Sequence, residues 1–220
     1  TYPDVEVLVV NDGSTDNGAT EAIARSYGAR IRYVAKENGG VASALNLGLR
    51  EMTGEYFAWL SHDDVYLPDR IAAQMARVPE HADYAVVDAR GHRLGERRYR
   101  GRPESIRIEL VLEDPVNGCT VLVPRRCFEV VGEFDTRLRT IQDYDMWFRL
   151  ADRFPFVHVP EVLLLSRQHP AQGIRTISTH HGETSRELTR MLQLLRPDEI
   201  RAARPGPASS FYTWAALRMK

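Results

Sequence analysis

Three short apolar runs alternate with two stretches of helix-forming residues, and each run ends in a turn. This alternation limits the fold more than any other feature of the chain. Residues 5–10 (VEVLVV) are β-branched and nearly all apolar, as in a strand covered on both faces. The run ends in NDGSTD, where Gly13 permits unusual φ and Ser14, Thr15 or Asp16 can cap a helix. Helix formers follow over 19–27 and stop at Gly28. Residues 31–35 (IRYVA) read as a second strand. Gly39-Gly40 opens a helix through Met52, with Gly54 beyond it, and 55–60 (EYFAWL) is the third strand. The order β-α-β-α-β predicts an α/β fold: a mostly parallel central sheet with helices on both faces.

Further along, Pro68 suits the first turn of a helix continuing over 69–78. Residues 84–87 (YAVV) read as a strand, 88–102 as a loop or hairpin and 103–112 as a helix. A strand over 119–123 and a short helix over 125–131 come next. Residues 141–154 form a strongly patterned helix, followed by short strands at 156–159 and 162–166. Beyond Gly173 the pattern changes. Residues 178–195 read as one amphipathic helix, and Pro197, Pro205 and Pro207 break up a tail that suits a linker or a docking helix. The chain divides on this reading into a domain at 1–173 and a helical extension at 174–220.

With 220 residues, 43% of them hydrophobic, the chain can bury one substantial core. A net charge of −1 gives no global sign of a nucleic-acid partner, and the local basic run at 93–102 reads as solvated surface. Two cysteines, Cys119 and Cys127, do not make a disulfide framework, which fits a reducing compartment. No run approaches the ~20 apolar residues of a membrane span, and no signal peptide is evident. Thr1-Tyr2-Pro3-Asp4 leads straight into the first strand without an initiator Met, as in a chain that begins inside a longer protein.

Acids cluster where strands end. Asp12 follows the first strand, Asp63 and Asp64 follow the third, and Asp143 and Asp145 open the 141–154 helix. Taken singly, each suits a cap or a helix N-terminus. Taken together, an open α/β sheet would bring them to one rim, where such sheets bind ligands. Adjacent carboxylates are tolerated when a cation lies between them and a ligand, and Mg²⁺ or Mn²⁺ typically takes one or two carboxylates plus substrate phosphates. The residues therefore point to a divalent-metal diphosphate site with a further carboxylate as base. His62 beside the acids raises a zinc hydrolase as an alternative, but there is no HExxH, no CxxC and no second His at ligand spacing.

The chain resembles the family 2 glycosyltransferases, which have the GT-A fold, over residues 1–173. The resemblance is carried by TYPDVEVLVVNDGSTD (1–16), ENGGVASALNLGL (37–49), GEYFAWLSHDDVYLPDRI (54–71), VGEFDTRL (131–138) and QDYDMWFRLA (142–151). It implies inverting transfer of a sugar from a nucleotide diphosphate sugar, most often a UDP-sugar, to an acceptor hydroxyl. Asp12 would contact the nucleotide base. Asp63 would be the metal-binding acid of the family's DxD motif, holding Mg²⁺ or Mn²⁺. Ser61 and His62 would lie near the ribose or the metal, and Asp64 near the donor sugar. Asp143, in the position of the family's ED motif, would be the catalytic base. His169 would reach the metal or the diphosphate, Lys36 and Arg70 are further candidates for the diphosphate, and residues 117–119 would line the sugar pocket. The acceptor would be a saccharide or glycolipid in cell-surface polymer assembly, at the cytoplasmic side of the membrane. Peripheral membrane contact would come through residues 178–195 and Arg196, Arg201 and Arg204, although a plain packing helix is the simpler reading of that segment.

Two departures stand out. Ser61 replaces the first Asp of the DxD motif, and Gln142 replaces the usual Glu before Asp143. The family's first strand and helix are also not in the sequence, which implies a preceding segment of roughly 30–40 residues, one βα unit. Ser61 and that gap favour a non-catalytic nucleotide- or partner-binding module as the competing reading. A sugar-phosphate nucleotidylyltransferase would share the general fold but would not show the ED-type helix.

Overall fold

The computed structural model describes residues 2–77, 80–113, 115–203 and 207–218. The elements in order are β1 (Leu8–Asp12), α1 (Ala19–Ser26), β2 (Arg32–Lys36), α2 (Val41–Glu51), β3 (Tyr56–Ala58), β4 (Val65–Tyr66) and α3 (Arg70–Met75). They continue with β5 (Glu80–Val87), β6 (Arg93–Arg97), α4 (Ile106–Leu112), β7 (Leu122–Pro124), α5 (Arg125–Val131), α6 (Gln142–Arg153) and β8 (Val157–Arg167). The last four are α7 (Gly173–Thr176), α8 (His180–Leu194), α9 (Pro197–Ala203) and α10 (Ala208–Arg218). Val78, Arg204 and Pro205, which belong to the expected third helix and tail, lie outside the described residues.

The α/β class holds, but the sheet is mixed rather than mostly parallel. Among the described residues β1 and β2 form a separate parallel pair, and a six-stranded sheet runs β3-β7-β5-β8-β4 with β6 on β5. Within the larger sheet β5 and β8 pair in parallel, whereas β3–β7, β5–β7, β4–β8 and β5–β6 are antiparallel. A strand as short as β3 shows apolar character in sequence but not the direction of its partner, which is set by tertiary packing. The expected strands at 156–159 and 162–166 are one strand, β8. Its register against β5 jumps from Val159 to Val162, so Pro160, which has no N–H to give a ladder, sits at the irregularity.

The core gathers around α6. Met146, Trp147, Phe148 and Leu150 are buried against Ile106, Leu110 and Val111 of α4 and against Phe57 of β3. Phe134 meets Trp147 edge-on at 6.1 Å and 83°, and Phe57 meets Phe128 at 5.3 Å and 77°. Each such ring contributes about 1.5–3 kcal/mol by burial, with somewhat more from the edge-to-face geometry. Buried Asn46 of α2 spans to this region, its amide exchanging two hydrogen bonds of 2.8 Å with the Phe134 backbone.

Residues beyond 173 share that core. Met191 of α8, Leu195, Ile200 of α9, and Phe211 and Ala215 of α10 are all buried in the same cluster. Arg107 of α4 lies over the Phe148 ring and makes two bonds to Glu199 at 2.8 and 2.9 Å. The proline-broken tail is thus two docked helices rather than a linker. Among the described residues no helix is long and apolar enough to cross a membrane.

Candidate active site

The parallel register of β1 and β2 sets Asp12 opposite Lys36, at the same end of both strands. Lys36 Nζ lies 2.6 Å from Asp12 Oδ1, and the Gly39 and Gly40 N–H groups donate to the same carboxylate at 3.0 and 2.7 Å. Burial alone would raise this carboxyl, but those donors and the ammonium outweigh it and hold Asp12 below its ordinary value. The two turns lie close: Gly13 has φ +70°, and a methyl group there would meet Asn38 N at 2.7 Å.

Beyond β3 the chain turns through Ser61 to Asp64, closed by Asp64 N–H to Ser61 O at 3.2 Å, and re-enters the sheet as β4. The antiparallel pairing of β4 with β8 brings the end of β8 beside the acidic pair. Asp63 Oδ2 lies 3.1 Å from His169 Nε2 and 3.4 Å from Gln172 Nε2. Burial acts to raise Asp63, while its own N–H, His169, Ser61 and the nearby His62 together lower it. Asp64 is raised, by burial and by the neighbouring Asp63, although the Arg167 N–H donates to it at 2.8 Å. The Arg167 guanidinium ties Asp63 O to Ala89 O at 2.9 and 2.8 Å.

The turn Asn117–Thr120 joins this loop to the third acid. The Ser61 N–H donates to Cys119 Sγ at 3.2 Å, and the Cys119 thiol, raised by burial and by Asp64, also feels the charge of Asp143. Gly118 sits against Asp143 and Trp59 so closely that a methyl group there would fall 2.8 Å from Asp143 Oδ2 and 2.4 Å from Trp59 Cζ3. Asp143, in the first turn of α6, accepts from the Tyr144 N–H at 3.0 Å and has no cationic partner among the described residues. Burial pushes its carboxyl up to about 7, opposed only weakly by its own backbone N–H. A carboxylate with that value is half-ionised near neutrality, the condition in which a general base works best.

The structure therefore brings Ser61, His62, Asp63, Asp64 and His169 together on one side of the 117–120 turn and Asp143 on the other. Asp12 and Lys36 are paired at the β1–β2 end. The link from that end to α6 is Arg139, whose Cζ would lie 3.8 Å from a methyl group on Gly40. Arg70 does not reach the site: it is 1% exposed, 3.9 Å over the Tyr66 ring, and donates to Val121 O. Asp145 and Arg149 serve packing, paired at 2.8 Å, with Arg149 also bonding the carbonyls of Val131 and Glu133. Trp59, Arg167, Gln172 and Glu183 were not singled out by sequence. Arg167 and Gln172 flank His169 and were within reach of that motif, whereas nothing in the pattern of α8 marks Glu183.

Residues 1–142 match the glycosyl transferase family 2 pattern. An uncharacterized glycosyltransferase of Rickettsia conorii is 40% identical over 216 residues, covering 91% of this chain and 35% of its own length. A chondroitin synthase of Pasteurella multocida is 29% identical, covering 74% of this chain and 17% of its own. This chain thus spans about a third of the Rickettsia protein. Among solved structures, Staphylococcus aureus TarS 1–349 in complex with UDP-GlcNAc has TM-score 0.62 at 13% identity, covering 85% of this chain and 57% of that one. The likeness agrees with the GT-A architecture expected from the motifs. By its matching residues and its relatives, the chain belongs to glycosyl transferase family 2.

Proposed function

We propose that this protein transfers a sugar from a nucleotide diphosphate sugar, a UDP-sugar above others, to an acceptor hydroxyl with inversion. Asp143 is the base, and the observation that carries the reading is its carboxyl, raised by burial to about 7 beside the acid-bearing loop. The acceptor oxygen attacks the anomeric carbon on the face opposite the diphosphate. A glycosidic bond forms as the bond from that carbon to the diphosphate oxygen breaks, and the nucleoside diphosphate leaves with the bonding pair. Asp143 takes the hydroxyl proton. Asp12 and Lys36 hold the nucleotide end, while Ser61, His62 and Asp64 face the ribose and donor sugar. The binding of UDP-GlcNAc by TarS supports a UDP-sugar donor. The likeness to a chondroitin synthase supports a saccharide acceptor in surface polymer assembly, with a glycolipid as the other acceptor class.

Among the described residues no three His, Cys, Asp or Glu side chains converge on one point. Asp63 and His169, 3.1 Å apart, are the pair that suits a single Mg²⁺ or Mn²⁺, with water and diphosphate oxygens completing the shell. The lowered Asp63 carboxyl fits that role. When bound, the ion supplies Lewis-acid stabilisation of charge on the departing diphosphate. On this reading residues 1–173 carry the site, 174–220 are an extension whose described helices α8, α9 and α10 pack on it, and the protein works at the cytoplasmic side of the membrane with peripheral contact.

The test is release of nucleoside diphosphate from a panel of nucleotide sugars, with Mn²⁺ or with EDTA, comparing wild type with Asp143→Asn. Metal-dependent release of one diphosphate, lost in the variant, supports the reading. Ser61 in place of an acid, and the lack of a three-ligand cluster among the described residues, favour a second reading as a nucleotide- or partner-binding module. Tight metal-dependent binding without turnover, acceptors included, would put that reading first.

A further inference from the structure

The turn that leads into α6 is held by an acid from α8. Ile141, at the start of α6, has no side chain able to cap the helix, so the N–H groups of this turn need an acceptor from elsewhere. Glu183 supplies it. Its Oε2 accepts from the Arg139 N–H at 2.8 Å. Its Oε1 accepts from the N–H groups of Thr140 at 2.7 Å and Ile141 at 3.2 Å, and from the Thr140 hydroxyl at 2.9 Å. Glu183 is 3% exposed. Burial would raise its carboxyl, but these donors together hold it below its ordinary value, as expected of a carboxylate fully engaged in accepting bonds. Its neighbour His180 adds a contact from Nδ1 to the Thr140 hydroxyl at 2.9 Å.

The clamped turn has a residue of the site on each side. Asp143 follows it by two residues, against Gly118, and Arg139 lies beside Gly40, whose N–H holds Asp12. We propose that Glu183 is a positioning residue for transfer: from α8 it fixes the 139–141 turn, and thereby the placement of Asp143 and its distance from the nucleotide end. This inference rests on Asp143 being the base. A displacement of about 1 Å at a reacting group can cost on the order of 100-fold in rate, so a single side chain in a remote helix can matter at this scale.

The test compares Glu183→Ala, Glu183→Gln and Arg196→Ala in the full chain. Arg196, just before α9, bridges Asp152 of α6 and Glu199 of α9 without touching the turn, and serves as the packing control. Readouts are turnover of the nucleotide sugar that the wild type uses, affinity for UDP with Mn²⁺, and hydrogen exchange at the 139–141 amides. Glu183→Ala is expected to lower turnover per folded molecule about 10- to 100-fold while UDP affinity changes less than about twofold. Glu183→Gln, which keeps one acceptor oxygen, should lose less turnover but still lose exchange protection at the turn, and Arg196→Ala should keep turnover. Should Glu183→Ala not fold, Glu183→Gln decides the question by the same readouts. Unchanged exchange at 139–141 in Glu183→Gln overturns the proposal whatever the donor. Full turnover in Glu183→Ala, with Asp143→Asn inactive, overturns it and leaves the base assignment intact. Full turnover in Asp143→Asn instead removes the base assignment itself.

Discussion

Asp12 and Asp143 are the same residue type at two ends of one site, and their surroundings drive them in opposite directions. Both lose water on folding. At the β1–β2 end an ammonium and two backbone N–H groups compensate, and Asp12 is held below its ordinary value. At the α6 end no cationic group among the described residues compensates, and Asp143, against Gly118, is left near 7. An acid that must stay charged to hold a ligand is given donors. The acid that must take up a proton accepts from backbone N–H groups, Tyr144 at 3.0 Å among them, and has no ammonium beside it among the described residues.

The sharpest way to break this contrast is Asp143→Asn, which keeps the shape and removes the base. Turnover is expected to fall by about 10²- to 10⁴-fold with donor affinity nearly unchanged, read from kcat and KM for the donor. Gly118→Ala should come next. Its methyl would stand within 3 Å of both Trp59 and Asp143, so one of them must move. Thermal unfolding should show a loss of about 1–3 kcal/mol, with a fall in kcat of up to about 100-fold. Asp12→Ala should act at the other end only, weakening UDP binding about tenfold while kcat at saturating donor is kept; calorimetry of UDP binding checks it.

The smallest effect is on stability. The raised Asp143 binds its proton more tightly in the folded state than in the unfolded chain. Its contribution is therefore fully present below about pH 4 and is lost as pH rises through 7. Asp143→Asn, always neutral, should be more stable than wild type at pH 8 by on the order of 1–3 kcal/mol, the difference fading as pH falls toward 4.

The acids at the strand tips were legible because strand tips are local features: an apolar run followed by Asp names the place without knowledge of the partner strand. β2, α2 and α6 were legible for the same reason, within two residues at their ends, while β1 begins three residues later than expected. What was not legible depends on partners distant in sequence. The antiparallel pairing of β3 with β7 could not be seen in three apolar residues. The docking of α9 and α10 was obscured by the prolines between them. Glu183 shares its helix with one other acid, Glu187, and its role depends on residues more than 40 positions away. Arg70, a candidate for the diphosphate under the resemblance, is instead buried against the Tyr66 ring, because α3 turns this residue to the core.

The most direct measurement is an NMR titration of the side-chain carboxyl carbons, with Asp143→Asn identifying the Asp143 signal. A midpoint near 7 for Asp143, together with one for Asp12 below the usual aspartate range, is the predicted result. A midpoint for Asp143 near 4 would contradict the account, because a carboxylate that gives up its proton so readily has no special fitness as the base in this site.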